Sequence, residues 1–221
     1  MIYNIDFDIS AVAISLLTIF YIIDKKGLQN RANRTYFVIV VSGLLSAVAD
    51  IFSCIINANP NVNNYLLQDM WNYIYLYVHN LVPYLLVLYI LQITGKTLSR
   101  KLHFLLVLPV LADYLLLIIN PFKKWVFYYD MDGSYYHGRG FNIIYTGAVI
   151  YLFIMLFLLM SYHRQMPKKQ LRPLCFFILL SVISVTVQML YPYLLIEIFF
   201  QSIGLLAILY SLDDKDKNGA G

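Results

Sequence analysis

The segment NPFKKWVFYYDMDGSYYHGRG, residues 120–140, decides how this chain is read. It is the longest stretch that is neither a membrane span nor the edge of one. Pro121 is expected to bar helix continuation, and KWVFYYD is aromatic and β-branched, as strands are. Asp132-Gly133 is a two-residue hairpin signal, after which SYYHGRG runs back. The expectation is a short β-hairpin standing between two transmembrane helices. The competing reading is an aromatic interfacial loop without a ligand role, because aromatic belts are common at membrane surfaces.

On either side of this segment the sequence is apolar. Of 221 residues, 61% are hydrophobic and only 13% are charged, whereas soluble domains carry about 25% charged residues. Apolar runs of about twenty residues mean membrane helices, so one polytopic bundle uses the whole chain. The net charge of +4 does not point to nucleic acid, since the Lys and Arg residues flank apolar spans instead of forming one face. The opening residues MIYNIDFD are acidic where a cleavable signal peptide would be basic. Cys54 and Cys175 fall within apolar spans toward opposite membrane faces, so they read as small core residues and not as a disulfide.

Seven spans follow in order: 5–23, 36–56, 71–93, 103–119, 141–162, 174–190 and 193–212. Pro83 marks a kink in the third. YPY at 191–193 is the break between the sixth and seventh, because about 39 residues are too many for one crossing. Residues 1–212 form the seven-helix domain, and DDKDKNGAG, 213–221, is a polar tail. One set of loops and the tail hold Lys25, Lys26, Arg31, Arg34, Lys96, Arg100, Lys101, Arg164, Lys168, Lys169, Arg172, Lys215 and Lys217. The opposite set holds only Lys123, Lys124 and Arg139, all in the hairpin segment. The positive-inside rule then places the amino terminus and hairpin outside the cell membrane and the carboxyl terminus in the cytoplasm.

Polar residues within spans are costly in hydrocarbon and are functional candidates by default. Ser46, Asp50, Ser53 and Asn57 share one face of the second helix. Asn72, Tyr75 and His79 mark the third, Asp113 and Asn120 the fourth, Ser181, Ser184 and Gln188 the sixth, and Glu197 and Gln201 the seventh. At ~1.5 Å per residue, Asp50 and Asp113 lie roughly 9 Å below the outer helix ends, His79 roughly 12 Å and Glu197 roughly 6 Å. Their shared depth predicts an outward-opening polar cavity under the hairpin. Its expected lining is Asp50, Tyr75, His79, Asp113, Gln188 and Glu197, with Trp125 and Tyr136 from the hairpin. His79 is expected between Asp50 and Asp113, where a cation or amine could replace its proton.

Catalytic and cofactor patterns are thin. His79 is the single histidine well inside a span, and no HExxH or glycine-framed serine occurs. Asp50 and Asp113 lack the Gly-x-Gly-Asp context of intramembrane aspartyl proteases, and no lysine lies within a span to carry retinal. No metal or cofactor is expected, and no enzymatic activity. A weak repeat, Ala49-Asp50 and Ala112-Asp113 each followed after four residues by Ile-Ile-Asn, is compatible with a duplicated helix pair.

Asn120-Pro121, WVFYYD, Gly133, Tyr136 and Arg139-Gly140, with RANRTYF (31–37) and ILYSLDD (208–214), resemble bacterial seven-helix sensor regions. Those regions precede diguanylate cyclase (GGDEF) or histidine kinase domains. The resemblance implies a sensory input module whose last helix feeds a cytoplasmic output domain. The chain departs from that pattern by stopping at Gly221, so an output domain or a partner protein is expected to complete it. The expected partners are a small-molecule or lipid ligand, membrane lipids and that output; a homodimer is compatible with this. The alternative is a small transporter using the same cavity. A transporter would need a polar route to the cytoplasm, and the inner halves of the spans are almost all Leu, Ile, Val and Phe.

Overall fold

The computed structural model describes residues 4–58, 65–131, 133–191 and 194–212. Seven helices and one hairpin run in the order α1 (Asp6–Tyr21), α2 (Arg31–Asn57), α3 (Tyr65–Ile93), α4 (Arg100–Lys123), β1 (Phe127–Tyr129), β2 (Tyr135–His137), α5 (Phe141–Tyr162), α6 (Lys168–Leu190) and α7 (Glu197–Leu209). A π-helical turn, Ile22–Lys26, ends α1. Among the described residues six helices are long and apolar enough to cross a membrane, and α7 is a shorter apolar one. Polarity runs opposite to that of a soluble protein. Phe20, Phe104, Phe122, Phe153, Phe157 and Met160 are exposed, while Asp8, Ser46, Asp50, Asn72 and Asp113 are buried. Apolar exterior on this scale requires lipid.

Sequence neighbours pack together, and α1 meets α7 to close the ring. Among the spanning helices α2 is the most enclosed, lying against α1, α3 and α7. The half of the bundle remote from the hairpin is filled by one apolar core, including Ile39, Val40, Leu86, Val87, Ile90 and Ile208. There the Tyr36 hydroxyl donates to the Leu205 carbonyl, tying α2 to α7. Lys26 is buried, and its Nζ donates to the Leu212 carbonyl at 3.0 Å, so the end of α1 holds the end of α7. At the hairpin end a parallel bridge, Asn4 to Leu194, joins the same two elements.

Several boundaries differ from expectation. Helices α2, α4 and α6 begin three to six residues early, at basic positions, because hydropathy marks where lipid starts and not where the helix is capped. Asn30 caps α2 through Ala32 N–H (2.8 Å), and Ser99 caps α4 through Leu102 N–H (3.4 Å). Pro121 does not stop α4. It sits in the last turn, and the helix ends at Lys124, whose φ is +55°. Helix α7 begins at Glu197 and not at 193; residues 194–196 are irregular backbone. With 13 residues, α7 spans about 20 Å, less than a bilayer core. The break expected at Pro192, loop residues 59–64, Asp132 and the tail 213–221 lie outside the described residues.

The hairpin is present, with Phe127 opposite His137, Tyr128 opposite Tyr136 and Tyr129 opposite Tyr135. Its loop is three residues long, 131–133, and not two. Asp130 N–H donates to Ser134 O and Gly133 N–H to Asp130 O, both at 3.0 Å. Gly133 has φ +81°, the left-handed conformation that closes three-residue loops. Asn120 fastens the strand to α4. Its Oδ1 accepts from Val126 N–H (2.7 Å) and Phe127 N–H (3.2 Å), and its Nδ2 donates to Phe127 O (3.1 Å) and to the Tyr73 hydroxyl (3.2 Å). Val126 and Phe127 then pack on Leu76, Leu117 and Ile144, seating the hairpin on α3, α4 and α5.

Candidate functional site

Because strand residues alternate, the register fixes which hairpin side chains face the bundle. Phe127, Tyr129, Tyr135 and His137 share one face; Tyr128 and Tyr136 stack on the other, with centroids 5.7 Å apart. Beneath the first face lies a cavity of about 620 Å³. Asp50, Cys54 and Asn57 of α2, Tyr75 of α3, Tyr145 of α5 and Gln188 of α6 line it, with Tyr135 and His137 above and Leu195 from the irregular backbone before α7. A second cavity of about 240 Å³ lies against it, lined by His79, Asn80, Glu197 and Gln201. Tyr145, Val149 and Val185 line both. Val149, Val182 and Thr186, on the walls of one or both, are exposed, so the cavities open along the α5–α6 seam.

A hydrogen-bond relay orders the wall of the larger cavity. Asn72 Nδ2 donates to the Gln68 backbone carbonyl at 2.8 Å and to the Tyr129 hydroxyl at 3.1 Å. A carbonyl only accepts, so Asn72 Oδ1 is the acceptor for Ser53 Oγ at 2.9 Å. The Ser53 oxygen in turn accepts from Asn57 Nδ2 at 3.3 Å. Asn57 Oδ1 is left buried without a partner, and Asn57 lines the cavity. The direction of the whole chain is thus set by one backbone carbonyl.

The ionisable groups gather behind this wall. His79 Nε2 and Glu197 Oε1 are 3.3 Å apart, and the His79 ring stacks on Tyr75 at 5.3 Å. Asp50 interacts electrostatically with His79 and Glu197, and Cys54 Sγ donates to its Oδ1 at 3.7 Å. Asp8 of α1 interacts electrostatically with Asp50; it is fully buried, and neither of its carboxylate oxygens has a partner. Among the described residues no group of three His, Cys, Asp or Glu side chains is placed to hold a metal ion.

Of the residues singled out from sequence, Asp50, Tyr75 and Gln188 line the larger cavity and His79 and Glu197 the smaller. Asp113 lines neither. Its carboxylate lies against Gly147 of α5, so close that a Cβ there would meet Oδ2 at 2.9 Å. His79 therefore pairs with Glu197 and does not bridge two aspartates, because the third helix turns its histidine toward α7. Tyr136 stands on the outward face of the hairpin. Trp125 precedes β1, half exposed, and its carbonyl accepts from Gly140 N–H at 2.7 Å. Neither lines the larger cavity.

Sequence reading missed Asp8, Asn57 as a cavity residue, Tyr135, Tyr145 and His137. A signal for Asp8 exists: Asp8, Ala11, Ser15 and Thr18 are spaced three, four and three, and all four are buried. His137 lies outside the spans, with one ring face on Phe141 at 3.7 Å, and this apolar cover holds its imidazole below the ordinary histidine range. Carboxylates, tyrosines and one ordered amide oxygen around a space open along the α5–α6 seam suit reversible binding of a polar, donor-bearing molecule.

No family model matches the chain, and no curated protein matches it. Among solved structures it is similar to squid rhodopsin, at 12% sequence identity and a TM-score of 0.51, over 93% of this chain and 75% of that one. At that identity the likeness is one of fold. This chain is a multi-pass membrane protein with a rhodopsin-like bundle of seven helices.

Proposed function

We propose that the protein is a sensory input module of the cell membrane, receiving a small ligand at the hairpin end and signalling through α7. The amino terminus and hairpin lie outside and the end of α7 faces the cytoplasm, as the distribution of basic residues favours. The observation that carries this reading is the cavity pair, which joins the hairpin to the first turn of α7 through His79 and Glu197. A ligand that binds one packing of these walls more tightly shifts the population toward it. Lys26 and Tyr36 bond the far half of α7, so a repacking at Glu197 reaches the cytoplasmic end by rearranging these two contacts. The resemblance to sensor regions of diguanylate cyclases and histidine kinases supports a cytoplasmic output domain or partner, and no catalytic step in this chain. The dense apolar core beyond the cavities favours a receptor over a transporter, which needs a polar path through that half.

The test uses the full chain in vesicles, with Cys175 replaced by alanine and spin labels at Arg100 and Tyr210. Small organic cations, anions and neutral compounds are added from the hairpin side. The expected result is a change in the distance between the labels with at least one compound and no uptake of that compound. Uptake without a change in distance makes the protein a transporter. No response to any class removes the cavity as a ligand site.

A further inference from the structure

Resting on the larger cavity as a ligand site, we propose that its ligand is an organic ammonium. The charged nitrogen sits against Asp50, and the carbon skeleton lies on Tyr75, Phe141 and Tyr145. Charge is the first observation. Asp50 borders the larger cavity, Glu197 and His79 border the smaller one, and Asp8 of α1 is fully buried. The near partner of His79 is Glu197, at 3.3 Å. Lys123, Lys124 and Arg139 are exposed on the hairpin segment, and none lines either cavity. Among the described residues no Lys or Arg lines either cavity, and both oxygens of the buried Asp8 lack a hydrogen-bond partner.

Hydrogen-bond polarity is the second observation and is independent of charge. The relay from the Gln68 carbonyl leaves Asn57 presenting an oxygen, and Oε1 of Gln188, which lines the same cavity from α6, also lacks a partner. With Asp50, three acceptors border one space. An ammonium brings as many as three N–H donors, an alcohol only one and a carboxylate none.

Size and wall chemistry supply the third. A space of about 620 Å³ is far larger than a bare ion, and aromatic faces attract cations. A metal ion is disfavoured by the lack of a ligating trio among the described residues.

The experiment compares three molecules sharing one skeleton, phenethylammonium, 2-phenylethanol and phenylacetate, on the full chain in nanodiscs at constant ionic strength. The readout is the shift in melting temperature with concentration. Phenethylammonium is expected to raise the melting temperature and the other two to leave it unchanged. Asp50→Asn should weaken the ammonium at least tenfold, equivalent to about 1.4 kcal/mol. Gln188→Met, which keeps the shape and removes an acceptor, should weaken it several-fold, and it decides the matter if Asp50→Asn does not fold. Protection by the alcohol or carboxylate equal to that of the ammonium overturns the inference. If either also moves the label at Tyr210, the receptor reading survives without the ammonium. Absence of protection by phenethylammonium, or protection unaltered in both variants, also overturns it.

Discussion

Replacing Asn120 by leucine should detach the hairpin while leaving the bundle folded. The asparagine makes four hydrogen bonds, three of them to backbone groups of Val126 and Phe127, which are 0% and 2% exposed. A buried polar group stripped of its partner costs about 1–3 kcal/mol, so three would cost about 3–9 kcal/mol if the strand stayed in place. Lifting off lets water satisfy them and sacrifices the burial of two side chains, at about 1.5–3 kcal/mol each. The two costs are comparable, so the seated and lifted states approach equal population. In hydrogen exchange on nanodiscs, amides of residues 126–137 should lose at least about 100-fold in protection, or about 2.7 kcal/mol. Asn120→Asp keeps the two hydrogen bonds accepted by Oδ1 and loses the two donated by Nδ2, so its loss should be intermediate. The main apolar core contains neither Val126 nor Phe127, and protection there should not move. Native protection of 126–137 in Asn120→Leu would refute the assignment of Asn120 as the fastener.

Gly133→Val places a β-branched residue at φ +81°, a cost of about 1–2 kcal/mol; faster exchange at 130–134 with unchanged membrane insertion is the expected result. Asp113→Asn should leave phenethylammonium binding within about twofold while Asp50→Asn does not, because only Asp50 borders the larger cavity; equal losses in titration would return Asp113 to the site. His137 titrates below its ordinary range when covered by Phe141. The lifted hairpin therefore binds more protons, and closure is at full strength above about pH 6.5 and weakens as pH falls through the lowered value. Protection factors at 135–137, corrected for the intrinsic pH dependence of exchange, should fall between pH 7 and pH 5 in the native protein and stay constant in His137→Gln.

Much of this was legible because lipid imposes a simple rule. Apolar length gave the number of helices, and loop charge gave a consistent orientation to propose. Aromatic strands around Asp132-Gly133 located the hairpin. What hydropathy could not give was rotation about a helix axis. Asp50 and Asp113 have the same local surroundings in sequence, Ala before and Ile-Ile-Asn after, yet one borders a cavity and the other a glycine. That difference arises from which neighbour each helix meets. The same limit explains Tyr136: alternation says that Tyr135 and Tyr136 face opposite ways, and only seating by Asn120 decides which is inward. Asp8 was overlooked because an acidic residue near the start of a chain reads as solvent-facing. The small residues at its helical spacing were the countersignal.

The opening along the α5–α6 seam has a consequence for pharmacology. Val149, Val182 and Thr186 are both lining residues and exposed ones, on helices that face lipid. If the cavities take a ligand as proposed, an amphiphile dissolved in the leaflet has a sideways route to them that does not pass the hairpin. For such a compound the dose that matters is its concentration in the bilayer, and apparent potency in water will rank compounds by partition coefficient as much as by fit. Two ligands with identical contacts would then differ in potency by the ratio of their lipid solubilities, and the ranking would change with the lipid composition of the host membrane.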